Sequence, residues 1–422
     1  MMIILALFVV FLIGVPIAFS LGLVSLGQIM IDGFPPLVVV QRMFTGADSI
    51  ALTAIPLFIL SGGLMYRGGM SKRIVNFADL LIGHFPSGLA MVSILACMFF
   101  AAITGSAIAA TAAIGGIMIP LMVEKGYDKE YCAPLLACGG SIGPIIPPSI
   151  PLLIYGVMAN VSVAKLFIGG FLPGLLMGVG LMVYSFIVGK KRHYIGRDKR
   201  APFREVLKAG KDALLALLMP VIIIGGIMSG AFTPTESGTI AVFYALIVGM
   251  FVYRELSMKD LWTAMVDCAK STGQVLVVVA FASLFTWVIT VNNIPQQVSS
   301  FLGSTISSKF MLLLVINIIL LIAGTFIDTT SAVVIFTPLF LPLVQSFGID
   351  LIHFGLVMAV NLTIGMCTPP LGVCLFVSGS IAKISLKDQF RDLLPMLGVL
   401  ILVLLMVTYI PDIVLLLPNL FS

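Results

Sequence analysis

Apolar runs of about 20 residues, each long enough to cross a bilayer as a helix, recur along this chain with short polar joints between them. Over the whole chain they predict about ten to twelve crossings or partial crossings. The first run, MMIILALFVVFLIGVPIAFSLGLVSLG, has no basic residue before Arg42. It lacks the charged n-region of a signal peptide and is too long for an h-region, so it is read as a retained first span.

Two unusual elements occur in the same order on either side of the middle. The first is a hairpin: residues 89–103 and 107–123 flank TGSA, and residues 311–323 and 331–346 flank GTFIDTT. Arms of about 13 to 17 residues rise only about 20 to 25 Å as helix, short of the roughly 30 Å hydrocarbon core. They predict re-entrant hairpins whose polar tips stop inside the membrane. The second element is a span interrupted by proline, SIGPIIPPSIP at 141–151 and TIGMCTPPLG at 363–372. Consecutive prolines remove amide donors and clash with the preceding turn, so a continuous helix cannot pass. Unwound backbone is tolerated at membrane depth only where protein buries it or it lines a cavity.

The two halves match at an offset of 222 residues, as from Pro120 to Pro342. Gly126 pairs with Gly348, Asp128 with Asp350, Gly143 with Gly365, Pro147 with Pro369, Pro148 with Pro370 and Pro173 with Pro395 at the same offset. Apolar residues coincide easily by chance, but a register of prolines and glycines with a paired aspartate predicts an internal duplication. The organisation expected is a first repeat at 1–189, a connection at 190–211 and a second repeat at 212–422. Each repeat holds a hairpin (about 89–123 and 311–346) and a broken helix (about 131–158 and 351–382). The fold class is an all-α, multi-span membrane protein, with two tips and two breaks converging on one polar site.

Composition agrees: 60% of residues are hydrophobic, 10% charged, and mean hydropathy is +1.19. A soluble domain carries about 25% charged residues. The net charge of +5 would suggest nucleic acid in a soluble protein, but nine of the 23 Lys and Arg lie between Lys190 and Lys211. The positive-inside rule places that connection in the cytoplasm, where it can also meet lipid headgroups, and no nucleic-acid partner is expected. The six cysteines form no C-x-x-C pair and are read as small packing residues.

Oxygen-rich, charge-poor breaks suit a hard cation such as sodium. By position, one sodium site uses Gly105, Ser106, Ser141, Gly143 and Ile146, and a second uses Thr325, Asp328, Thr363, Gly365, Met366 and Thr368. Half-helices expected to start at Ser106, Ser149, Thr330 and Leu371 present free amides and a positive dipole end to an anionic substrate. Ser106, Ser149, Thr330, Ser331 and Thr368 are the candidate substrate ligands. Two carboxylates lie deep in apolar sequence. Asp328, at the second tip, is read as functional; Glu236, after Thr233-Pro234, fits a helix cap equally well. No nucleotide-binding, zinc-peptidase or serine-hydrolase motif occurs, so neither an enzyme nor an ATP-driven pump is expected, and an ion gradient must supply the energy.

At these residues the chain resembles the large membrane subunit of tripartite ATP-independent periplasmic (TRAP) transporters over nearly its whole length. The stretches that carry the resemblance are GVPIAFSLG, IPLFILSGGLM, TGSAIAATAAIGGIMIP, GPIIPPSIP, FTPTES, IDTTSA, GIDLIHFG and TPPLG. The resemblance implies an elevator-type fold with two inverted repeats in the bacterial inner membrane and coupling to sodium, with no other cofactor. It also implies a small membrane subunit and a soluble periplasmic binding protein that delivers a small carboxylate, of the C4-dicarboxylate or sialic acid class. The family often has an acidic residue in its first tip where this chain has Ala110. That leaves neutral oxygens in the first half and Asp328 as the sole buried acid. A channel built from duplicated re-entrant loops is the alternative reading; the tips differ from each other, which argues against a ring of identical filter loops.

Overall fold

The computed structural model describes residues 2–194, 196–197, 200–306 and 308–420, which contain helices and no strand. The first nine helices are α1 (Met2–Leu12), α2 (Ile17–Ile31), α3 (Leu37–Ala47), α4 (Ala54–Arg67), α5 (Met70–Ile82), α6 (Gly88–Thr104), α7 (Ala107–Glu124), α8 (Lys129–Gly140) and α9 (Ile150–Met158). α10 (Val163–Arg192) and α11 (Phe203–Met228) flank the basic connection, followed by α12 (Pro234–Ile247), α13 (Met258–Val291) and α14 (Ile294–Thr305). The chain closes with α15 (Lys309–Phe326), α16 (Thr329–Ser346), α17 (Leu351–Gly365), α18 (Val373–Ala382), α19 (Leu386–Tyr409) and α20 (Asp412–Leu420). Among the described residues nine helical segments are long and apolar enough to cross a membrane, and six apolar helices are shorter.

Two expectations change here. The single first span is two helices, because Pro16 has no amide to continue the ladder and Gly14 turns the chain at φ +91°. The hairpin arms are also longer than their sequence implied: α6 has 17 residues and α7, α15 and α16 have 18 each. They rise about 26 to 27 Å, so length no longer separates them from full crossings. The tips shrink accordingly to Gly105-Ser106 and Ile327-Asp328.

The helix bounds repeat along the chain. α7 and α16 start at 107 and 329 and end at 124 and 346, and α8 and α17 start at 129 and 351. After each break the chain crosses over: α9 packs on α16 and α17, whereas α18 packs on α7 and α8. Each broken helix therefore ends inside the other half, which brings both breaks to the centre. There the Cys367 thiol donates to the Ala137 carbonyl at 3.1 Å, tying the second break to α8.

Two polar networks hold the surrounding helices. Asn361 of α17 donates to the Asn317 side chain of α15 at 2.8 Å, and Asn317 donates to Thr408 of α19 at 3.0 Å, all three buried. In an apolar interior such a chain of amides fixes helix register, because slippage would strand each group. The second network closes the end of α10. Arg192 pairs with Asp392 of α19, 7% exposed, and with Asp128 at 3.2 Å, and Tyr194 donates to Asp128 at 2.6 Å. Arg192 belongs to the basic connection, of which Ile195, Asp198 and Lys199 lie outside the described residues. Among the described residues Asp392 is thus the buried acid, and it is paired.

Candidate functional site

Each hairpin tip packs backbone to backbone on the break of its own half. At the first, Gly105 takes φ +60° against the Pro148 carbonyl, and Gly143 lies so close to Ser106 that a Cβ on it would stand 2.8 Å from the Ser106 carbonyl carbon. At the second, a Cβ on Gly365 would stand 2.5 Å from Gly324 Cα, the Gly372 amide donates to the Thr325 carbonyl at 3.4 Å, and Thr329 donates to Met366 Sδ at 3.0 Å. Only glycine permits these approaches.

The hydroxyls around both breaks share one arrangement. Ser141 donates to the Cys138 carbonyl at 2.7 Å, Thr363 to Val360 at 2.9 Å, Thr325 to Ile322 at 2.8 Å and Thr368 to Ile364 at 2.8 Å. A hydroxyl has one proton and two lone pairs, so a hydroxyl whose proton goes to its own helix turns only lone pairs outward. That suits a cation and not an anion. Among the described residues, the carbonyls of Ser141, Gly143, Ile146 and Thr363 accept no backbone hydrogen bond, and those of Gly365 and Met366 accept one each, from Thr368 and Cys374. The donor set fits a small hard cation near each break. The two breaks differ in access: residues 141–150 are all buried, whereas Thr368 is half-buried and Leu371 is 41% exposed.

The positive helix ends lie close to where they were expected, with two corrections. Ser106 caps α7 by accepting from the Ala109 amide at 3.3 Å, and Ser149 caps α9 by accepting from Leu152 at 3.2 Å. α16 begins at Thr329, not Thr330, because Asp328 is its cap, and α18 begins at Val373, with Gly372 as cap in place of Leu371. Ser149 is fully buried and donates its proton to Pro144, so it closes the break and offers nothing to a substrate. Ser106, Thr330 and Thr368 remain partly accessible around the tips; Ser331 is 4% exposed.

Comparison with known proteins decides the family. Residues 4–413 match the family described as the tripartite ATP-independent periplasmic transporter, DctM component. The chain belongs to the DctM family. It is 44% identical over 409 residues to the isethionate TRAP transporter permease protein DctMQ of Oleidesulfovibrio alaskensis, covering 97% of this chain and 64% of that one. This DctM chain thus spans just under two thirds of that relative's length. It is also 42% identical to the C4-dicarboxylate TRAP transporter large permease protein DctM of Pseudomonas aeruginosa, over 90% of this chain and 88% of that one. Among solved structures, the Alcanivorax borkumensis YdaH transporter superposes with a TM-score of 0.62 at 15% identity, covering 88% and 86% of the two chains. That likeness supports the transporter fold alone. The DctM chain is therefore a multi-pass membrane protein, in bacteria of the inner membrane, and not an enzyme.

Of the two acids singled out in the sequence, Asp328 departs from its expected burial and Glu236 takes the capping role already open to it. Asp328 is half-buried, not sealed, and accepts from the Ser331 amide at 3.0 Å. It occupies in the second hairpin the capping place that Ser106 occupies in the first. Among the described residues no basic side chain pairs with it. Glu236 is exposed and forms a full capping box with Thr233 at the start of α12, which accounts for it. The one sequence signal for the Asn317 network is a lone amide inside MLLLVINIILLIAG, which the hairpin pattern does not single out.

Proposed function

We propose that this DctM chain is the large permease subunit of a sodium-coupled importer of an organic acid. It is read as two inverted repeats, residues 1–189 and 212–422, joined by the basic connection 190–211 and moving as an elevator. One observation carries the reading: two tip-and-break pairs, each with outward-facing oxygen lone pairs and a capped helix N-terminus. Lone pairs and the Asp328 carboxylate suit the coupling cation, and the neutral-capped helix N-terminus at Ser106 suits a carboxylate or sulfonate. The relatives' names, for isethionate and C4-dicarboxylate, support a small organic anion, a class to which sialic acid also belongs. The tripartite family supports two partners, a small membrane subunit and a periplasmic binding protein. In proteoliposomes with an inward sodium gradient, saturable uptake of a radiolabelled organic acid is expected only when all three parts are present. Robust uptake by the single chain would remove the partner assignment, and a non-saturable flux would favour a channel.

Asp328 offers a test within the chain. Asparagine caps a helix about as well as aspartate, whereas alanine costs about 1 kcal/mol. Asp328→Asn is therefore expected to keep the melting temperature while raising the sodium needed for half-maximal uptake, and Asp328→Ala to lower stability as well. An Asp328→Asn variant with the parent's sodium dependence would make Asp328 a cap and nothing more.

A further inference from the structure

A cavity of about 160 Å³ lies between α1 and the second hairpin, walled by isoleucine, leucine, valine and phenylalanine only. Leu7 and Phe8 of α1 form one wall, Phe285 of α13 the back, and Ile327 of the tip with Ile335 and Leu339 of α16 the other wall. α1 packs along α2 and only grazes other helices, so it meets the hairpin across this space and not through it. Leu7, Ile335 and Leu339 are 2%, 3% and 7% exposed, but Phe8 at the mouth is 48% exposed, on the side of α1 that also presents Leu5 and Val9. An apolar cavity of about this size stays dry in a protein and accepts a six-carbon ring. A dry void also forfeits dispersion contacts on every wall. Leu5, Phe8 and Val9 make this side of α1 apolar, which suits contact with hydrocarbon, and water has no polar partner inside the cavity.

We propose that the tail of a bilayer phospholipid enters between α1 and α16 and fills this cavity, lying against the apolar side of the second tip. Ile327 immediately precedes Asp328, so the occupied cavity braces the segment that carries the capping carboxylate. The inference stands on the cavity and does not depend on the transport reading.

The test uses the full chain in nanodiscs of phosphatidylethanolamine and phosphatidylglycerol, doped with a phospholipid carrying a diazirine near the end of one tail. After photolysis, mass spectrometry should place adducts on Ile335 or Leu339, which surrounding lipid cannot reach from outside. Leu7→Trp, which fills the cavity from α1, should lower those adducts about tenfold, equivalent to about 1.4 kcal/mol. Adducts at Val183, 53% exposed on α10, should not change. Should Leu7→Trp not fold, Ile335→Phe with the readout at Leu339 serves the same end. Adducts confined to exposed positions, or adducts at Leu339 that survive filling, would overturn the site.

Discussion

Adding a single methyl group at residue 365 is expected to raise the sodium concentration for half-maximal uptake by about 5- to 150-fold. In Gly365→Ala the new carbon would stand 2.5 Å from both Cα and the carbonyl carbon of Gly324. Carbon atoms rest at about 3.5 to 4.0 Å, so α15 and α17 must part by about 1 Å or more, and backbone cannot rotate aside as a side chain can. α15 carries the second tip and α17 leads into the second break, so the separation opens the oxygen set between Thr325, Thr363 and Met366. Overpacking of this kind costs about 1 to 3 kcal/mol, which corresponds to about 5- to 150-fold in an equilibrium constant. Gly143→Ala should act in the same direction at the first site and more mildly, since its nearest backbone atoms are at 2.8 Å. Gly116→Ala is the control, because a methyl there meets nothing within 4 Å. Sodium titration of uptake for the three variants decides the matter: a Gly365→Ala protein indistinguishable from Gly116→Ala would separate Gly365 from ion binding.

Why some of this could be read from sequence, and some not, follows from where each residue finds its partners. Pro147-Pro148 and Pro369-Pro370 announced the breaks because proline removes its own hydrogen bond, a purely local fact. The hairpin arms read shorter in the sequence than they are because Thr104, Thr325 and Thr329 look like loop residues. Thr104 and Thr325 instead return their hydroxyls to the carbonyls of Phe100 and Ile322, and the helices run on through them. Asp328 reads as buried in the sequence because its neighbours are apolar, whereas its place as the cap of α16 leaves it half-buried at the tip. The exchange of α9 and α18 between halves could not be read at all, since apolar segments carry no address for their neighbours. Nor could the pairing of Arg192 with Asp392, 200 positions apart. The oxygen-rich, charge-poor character of the breaks was legible in residue type, but the orientation of their lone pairs depends on which carbonyl takes each hydroxyl proton.

Uptake is expected to depend on sodium with a Hill coefficient above one, and to respond to membrane potential according to the charge of the substrate. Each break supplies its own set of oxygens, Ser141, Gly143 and Ile146 in one half and Thr363, Gly365 and Met366 in the other, so one ion per break gives two per cycle. Every net positive charge moved inward across 100 mV yields about 2.3 kcal/mol. Two sodium ions with a monoanion, as a sulfonate would be, carry one net charge and gain about that much from an inside-negative potential. The same two ions with a dianion are electrically silent and rely on the sodium ratio alone, at about 1.4 kcal/mol per ion for each tenfold difference. The measurement is uptake into proteoliposomes, with the partner proteins present, over a sodium series at zero and at imposed negative potential, once with a monoanionic acid and once with a dianionic one. A monoanion accelerated by the potential, a dianion indifferent to it and a sigmoidal sodium curve for both are the expected results. A hyperbolic sodium curve, or undiminished uptake when potassium or protons replace sodium, would leave at most one of the two breaks as an ion site. The Gly143→Ala and Gly365→Ala variants would then show which, because only the variant at the working break should still shift the curve.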